Sequence, residues 1–190
     1  MNIGLYFGSF NPVHTGHLII ASHILNETEI DKVWFVVSPQ NPFKINHNLL
    51  NEYDRLHLLR VATADDQRIK VSDVEFSLPR PSYTSVTLAH LSEKYPEYNF
   101  SVIMGSDSFQ NLHKWNNASY ITENYPVYVY ERPGFPVHNT IGAKLHTLQA
   151  PLLELSATTI RLLIRTGKSI RYMVPDAVRE EIERAGHYKK

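Results

Sequence analysis

The segment Lys32–Ser38 reads KVWFVVS, apolar at nearly every position and without polar alternation. A strand with one face in water alternates apolar and polar residues, whereas a strand covered on both faces reads as an unbroken apolar run. Such a strand needs a mostly parallel sheet with helices on both sides, and the rest of the chain supplies the parts. Strands are expected at Asn2–Gly8, Ile69–Phe76, Asn99–Met104, Val127–Glu131 and Leu145–Ala150. Helical patterns occupy His17–Leu25, Asn51–Ala64 and Ser85–Tyr95, and two closing helices fall at Ala157–Arg165 and Pro175–Ala185. Ser156 is placed to cap the first of that pair and Gly167 to end it; Pro175 suits a first helical position and Gly186 follows the second. Strand–helix alternation of this kind predicts an α/β fold, a mostly parallel sheet with helices on both faces.

Nothing in the chain suggests a second body. It has 190 residues, no internal repeat and no low-complexity tract, so a single domain spanning 1–190 is expected, with surface loops at Gln40–Asn51 and Pro133–Lys144. Nineteen basic residues balance 19 acidic ones. Without a long-range field to gather nucleic acid or an anionic membrane, phosphate would have to be held by local geometry. The absence of cysteine excludes disulfides, thiolate nucleophiles and zinc–thiolate sites. The longest apolar run is about five residues, where roughly 20 are needed to cross a bilayer. The N-terminus enters a strand at once, with no signal core, and a soluble cytoplasmic protein is expected.

In open α/β sheets, ligands bind beyond the carboxyl ends of the strands. Chemistry-bearing residues gather at those ends here: Gly8-Ser9-Phe10-Asn11-Pro12-Val13-His14-Thr15-Gly16-His17 after the first strand, Ser38–Lys44 after the second, Gly105-Ser106-Asp107-Ser108 after the fourth, and Glu131-Arg132-Pro133-Gly134 after the fifth. Turns account for glycine and proline at such places but do not require His, Lys or Asp. Thr15 is placed to cap the first helix. His14 and His17 lie three apart across its start, so their rings can face one way. A helix N-terminus offers unpaired N–H groups and partial positive charge, a seat for phosphate. A metal reading would need carboxylate or cysteine co-ligands, and none lies nearby in sequence. A second such seat is Ser156-Ala157-Thr158-Thr159-Ile160-Arg161, with hydroxyls over a first helical turn and an arginine able to grip phosphate as a fork. Taken singly, each has a plainer reading: packing histidines, an ordinary cap, a solvated Lys44, a core Trp115.

Taken together they resemble a family. The run Gly8–His17 looks like the G-[GS]-[TS]-F-[DN]-P-x-H-x-G-H signature of the nucleotidyltransferases, and Ser156–Arg161 resembles that superfamily's second signature, I-S-[ST]-[ST]-x-[IL]-R. Pro81-Ser82-Tyr83-Thr84, Gly105–Ser108, Lys114-Trp115, Glu131–Gly134 and the tail Gly167–Pro175 resemble segments of bacterial nicotinate-nucleotide adenylyltransferases. The matches run in order over essentially the whole chain.

The resemblance implies a Rossmann-like nucleotidyltransferase fold and a transferase of NAD biosynthesis. It would join nicotinate mononucleotide to the AMP moiety of ATP, releasing pyrophosphate, with Mg²⁺ carried by the ATP phosphates rather than by a protein metal site. It implies a catalytic set of His14, His17, Lys44 and Arg161. ATP would meet Gly8, Ser9, Phe10, His14, His17, Gly105, Asp107, Ser156, Thr158 and Arg161, with Phe10 contributing backbone and side chain. Nicotinate mononucleotide would meet Ser9, Lys44, Tyr83, Thr84, Trp115 and Arg132, Trp115 by stacking on the ring. Homo-oligomerisation is compatible with all of this. The chain departs from the family pattern at Phe43, where histidine is frequent, at Val86, where many members have Asp, and at Ala157, where Ser is usual. The rival readings are a nicotinamide-mononucleotide or phosphopantetheine adenylyltransferase, a nucleotide-binding regulatory module without catalysis, and, from the ten histidines, a metal hydrolase.

Overall fold

In the computed structural model of the chain, residues 1–40, 49–138, 141–151 and 154–189 are described. Six strands, β1 (Asn2–Gly8), β2 (Lys32–Val37), β3 (Ile69–Ser72), β4 (Asn99–Gly105), β5 (Val127–Tyr130) and β6 (Leu145–Leu148), form one sheet in the order β3-β2-β1-β4-β5-β6. Every pairing is parallel. Seven helices accompany them: α1 (Thr15–Glu27), α2 (Glu52–Ala62), α3 (Thr84–Lys94), α4 (Ser106–Phe109), α5 (Ala118–Asn124), α6 (Ala157–Arg165) and α7 (Asp176–Ala185). Chain direction across the sheet reverses between β1 and β4. A crevice at that reversal, outside the carboxyl ends, is where such sheets bind ligands.

The unbroken apolar run in β2 has the expected cause. Val33, Phe35 and Val37 pack into one core with Tyr6, Ile20, Ile24, Leu59, Ile160 and Ile182, under α1, α2, α6 and α7. Trp34 and Val36 pack into the other, with Leu5, Leu88, Leu91, Val102 and Ile121, under α3 and α5. Successive side chains of a strand point to opposite faces, so each residue of β2 meets a helix layer. Among the described residues no helix is long and apolar enough to cross a membrane.

Several boundaries differ from the sequence reading. β3 stops at Ser72, because Asp73 turns the chain into a 3-10 turn, Val74–Ser77, whose first N–H is taken by the Ser72 hydroxyl at 3.3 Å. α1 begins at Thr15, so His14, not Thr15, is its cap residue. Thr15 instead spends its N–H on the Met173 carbonyl at 2.9 Å, tying α1 to the tail. Pro175 is likewise the cap of α7 rather than its first residue. α4 and α5, at four and seven residues, are too short to show a helical period in sequence. Ser156 caps α6 as expected, accepting from the Thr159 N–H at 3.1 Å, and Gly167 and Gly186 take left-handed φ angles of 68° beyond the last two helices.

Candidate active site

β1 ends at Gly8 in the middle of the sheet, and the chain then folds sharply. Phe10 adopts a left-handed φ of 45° and is 3% exposed. Its ring crosses back over Gly8, where a β-carbon would lie 2.8 Å from the ring. It packs edge-on against Tyr6, Phe35 and His17 at 5.7, 5.2 and 5.1 Å. The ring is therefore the floor beneath His17, and the expected side-chain contact with a nucleotide is corrected: Phe10 can offer such a ligand only its backbone.

On that floor the two histidines do what their spacing predicts. Their rings stack at 3.7 Å with planes 25° apart. The backbone N–H of His14 donates to His17 Nδ1 at 3.2 Å. Burial, then the neighbouring His14, then Arg132 hold His17 well below the usual imidazole pKa. Burial and Arg132 push His14 down to about 4. Both rings are thus neutral at neutral pH. With Nδ1 of His17 occupied as an acceptor, its proton resides on Nε2, which is a hydrogen-bond donor. His14 Nδ1 is buried without a partner among the described residues.

α6 brings the second seat to the same place. Arg161 donates from one terminal nitrogen to the Asn11 carbonyl at 2.6 Å and from the other to Thr158 Oγ1 at 3.1 Å. Residues 150 positions apart are joined in this way, and part of the Arg161 fork is committed to the protein. Across the cleft, Arg132 pairs with Asp107 at 3.1 Å and donates its N–H to the Ser106 hydroxyl at 2.8 Å. Asp107 folds back over the end of β4: a β-carbon at Gly105 would lie 2.5 Å from its carboxylate oxygen, so the Asp107 side chain would have to move aside for any other residue there.

Two cavities open at this edge, one on each face of the sheet. Tyr6 lines a cleft of about 290 Å³ together with His14, His17, Arg132 and Ser156. Phe7 and Gly8, next along the strand, line a pocket of about 110 Å³ with Tyr83, Thr84 and Trp115. The structure thus gathers His14, His17, Ser156 and Arg132 on one side and Gly8, Tyr83, Thr84 and Trp115 on the other. Arg132 lines the cleft of the histidines and not the pocket of Trp115. Lys44 lies outside the described residues. Among the described residues, no group of three or more His, Asp or Glu side chains could hold a metal ion.

Three buried polar positions at the site escaped the sequence reading. Arg55 of α2 is fully buried and donates to four carbonyls: Leu50 at 2.8 Å, Ser9 at 2.6 Å, Ser38 at 2.8 Å and Pro39 at 3.3 Å. It ties the ends of β1 and β2 to the entry of α2. Its signal was present, since a charge beside Leu56, Leu58 and Leu59 falls on the apolar side of the helix. Asn11 is buried and accepts the Leu50 N–H at 3.2 Å. Glu75 lies buried on the wall of the smaller pocket, and nothing in its sequence neighbourhood announces it.

Comparison with known proteins agrees with this geometry. The family model described as Cytidylyltransferase-like matches residues 5–163. A Flavobacterium psychrophilum protein described as a probable nicotinate-nucleotide adenylyltransferase is 47% identical over 193 residues, covering 100% of both chains. A Bacteroides fragilis protein with the same description is 42% identical over 94% of this chain and 90% of its own. The solved structure of Plasmodium falciparum nicotinic acid mononucleotide adenylyltransferase complexed with NaAD superposes with a TM-score of 0.84. It covers 98% of this chain and 97% of its own, and at 21% identity the likeness is one of fold.

Proposed function

The chain belongs to the nicotinate-nucleotide adenylyltransferase family, and we propose that its two cavities hold the two substrates of that reaction, the ATP phosphates in the larger cleft and the pyridine ring of nicotinate mononucleotide in the smaller. One observation carries the reading. A pair of stacked, neutral imidazoles and an arginine from α6 converge on one loop, immediately across β1 from a pocket walled by Trp115 and Tyr83.

The attacking group is the phosphate of the mononucleotide, already anionic at neutral pH, so the reaction asks for no general base and no covalent nucleophile. An oxygen of that phosphate forms a bond to the α-phosphorus of ATP as the α–β bridge breaks and pyrophosphate leaves. Catalysis then consists of holding two anions in line and stabilising charge on the transferred and leaving groups. The Nε2–H of His17 is a fixed donor for the transferred phosphoryl group, and His14 stands beside it. Arg161, Thr158, Ser156 and the unpaired N–H groups of the first turn of α6 receive the β- and γ-phosphates. The sequence match alone assigns Lys44 to the catalytic set and to nicotinate mononucleotide, neutralising phosphate from the opposite loop. Arg132, on the wall of the larger cleft, meets the mononucleotide at its phosphate. Gly105 and Asp107 meet a ribose. ATP brings Mg²⁺ on its phosphates as part of the substrate, where it neutralises charge. Trp115 stacks on the ring and Thr84 presents a backbone N–H to its carboxylate.

Pyrophosphate release from ATP and Mg²⁺, with nicotinate mononucleotide, nicotinamide mononucleotide and phosphopantetheine offered separately, tests the proposal. Preference for nicotinate mononucleotide is expected. Preference for either other acceptor would overturn the substrate assignment, and silence with all three in a protein that binds ATP would make it a regulatory module.

A further inference from the structure

Glu75, in the 3-10 turn Val74–Ser77, is 1% exposed and forms part of the wall of the smaller pocket. Its Oε1 accepts the hydroxyl of Thr87, on α3, at 2.9 Å. Its Oε2 has no hydrogen-bond partner among the described residues, and neither has the buried Ser82 hydroxyl on the same wall. A buried polar atom without a partner is costly unless a ligand or a proton completes it.

What faces this carboxyl is uncharged. The end of β2 presents Ser38, α3 presents Thr87, and the segment before α3 presents Ser82. Tyr83 is the other titratable side chain on the pocket lining. Asp73, at the head of the same turn, pairs with Arg60 at 3.7 Å, both half-exposed. With no cation beside it, burial raises the Glu75 carboxyl above the usual range, and the hydrogen bond from the Thr87 hydroxyl pulls it partly back. A ligand carboxylate brought into so small a space would add a second negative charge to the first. Two carboxylates that share a site do not both stay ionised.

We propose that Glu75 is a specificity-determining residue of the ring pocket, taking up one proton as a ring bearing a carboxylate enters, so that the pocket separates an acid from its amide by proton-coupled binding. The inference rests on the pyridine ring occupying this pocket. The proton comes from solvent, binds the partnerless Oε2, and leaves again when the product departs. A carboxamide ring brings no charge, and its NH₂ pairs with ionised Glu75, so no proton is taken up. Alkaline conditions therefore penalise the acid substrate and spare the amide.

The test is the ratio of kcat/KM for nicotinate over nicotinamide mononucleotide between pH 6.5 and 9. In the wild type the ratio is expected to fall with pH, approaching tenfold per unit, the limit for one proton. Titration of the shared phosphate and of the ATP site cancels in the ratio. In Glu75→Gln the ratio should be flat. A flat wild-type profile, or the same slope in the variant, overturns the proposal. Calorimetry on the wild type, in two buffers of different ionisation enthalpy, needs no variant to fold: about one more proton should be taken up with nicotinate than with nicotinamide mononucleotide, and equal uptake refutes it. Failure of both mononucleotides to bind while ATP still binds would instead remove the pocket assignment itself.

Discussion

Acidification should weaken this fold through the histidine pair, by an amount that can be worked out for one of its members. His14 is held at about 4 in the folded chain against an ordinary value of 6.5, so between those limits the unfolded chain binds a proton that the folded chain refuses. Stability from this residue is fully present above pH 6.5 and is lost as pH falls toward 4. The interval of about 2.5 units, at 1.36 kcal/mol per unit, makes the loss about 3 kcal/mol. Glu75 acts in the opposite sense: its raised pKa contributes stability below the ordinary carboxyl value that is lost as pH rises through the folded value. The total pH profile therefore mixes the two, and a difference is needed to separate them. Urea unfolding of the wild type and of His14→Gln, at half-unit steps from pH 4 to 7.5, supplies it, because Glu75 and the surface carboxylates cancel between the two proteins. The wild type should gain about 3 kcal/mol on the variant as pH rises across the window. A difference that stays within 1 kcal/mol, or falls with pH, would show that His14 is protonated in the folded state, and the account of two neutral donors would be wrong.

The same neutrality predicts that kcat with saturating substrates does not fall as pH rises from 6 to 8, since neither ring loses a proton there; a fall with rising pH centred near 6.5 would mean a protonated imidazole acts. His17→Ala should lower kcat by about 10²–10³, the usual loss for one preorganised donor, with an unchanged near-ultraviolet circular dichroism spectrum; near-normal turnover in a single-turnover assay would remove His17 from the chemistry. Arg55→Met should cost on the order of 3 kcal/mol in thermal or urea unfolding, because four buried carbonyls lose a charged donor together. Trp115→Ala should raise KM for the mononucleotide about tenfold and leave KM for ATP near its wild-type value, as expected of a stacking loss of about 1.4 kcal/mol confined to the ring pocket; an equal rise for both would place Trp115 elsewhere.

What could be read in advance divides by the range of the interactions involved. β2 was legible because burial on both faces is written into consecutive residues, and the His14–His17 stack because it needs only a spacing of three on one helix. α5 was not legible, since seven residues make only about two helical turns, too few for an apolar periodicity to stand out. Thr15 was misread as a cap because its donors are claimed by Tyr172 and Met173, far along the chain. Phe10 was misread for a related reason. A signature shows that an aromatic ring is present but not which side of the chain it folds to, and the left-handed turn at this residue sends it into the core. Glu75 had no local mark at all. Its burial depends on α3 and the end of β2 closing over it.

The position of the two arginines explains why a loop with a strained residue can serve as a binding surface. Arg55 holds the carbonyl of Ser9 and Arg161 that of Asn11, so the chain on either side of Phe10 is gripped from α2 and from α6. A non-glycine residue at positive φ costs on the order of 1–3 kcal/mol and persists where its surroundings over-determine it. Here the surroundings are two guanidinium groups and the rings of Tyr6 and Phe35, which pack edge-on against Phe10. The consequence is functional. His14 and His17 begin the helix that this loop feeds, so fixing the loop fixes their rings before any substrate arrives; under the proposed assignment, a donor preorganised in this way needs no reorganisation when charge develops on the transferred phosphoryl group.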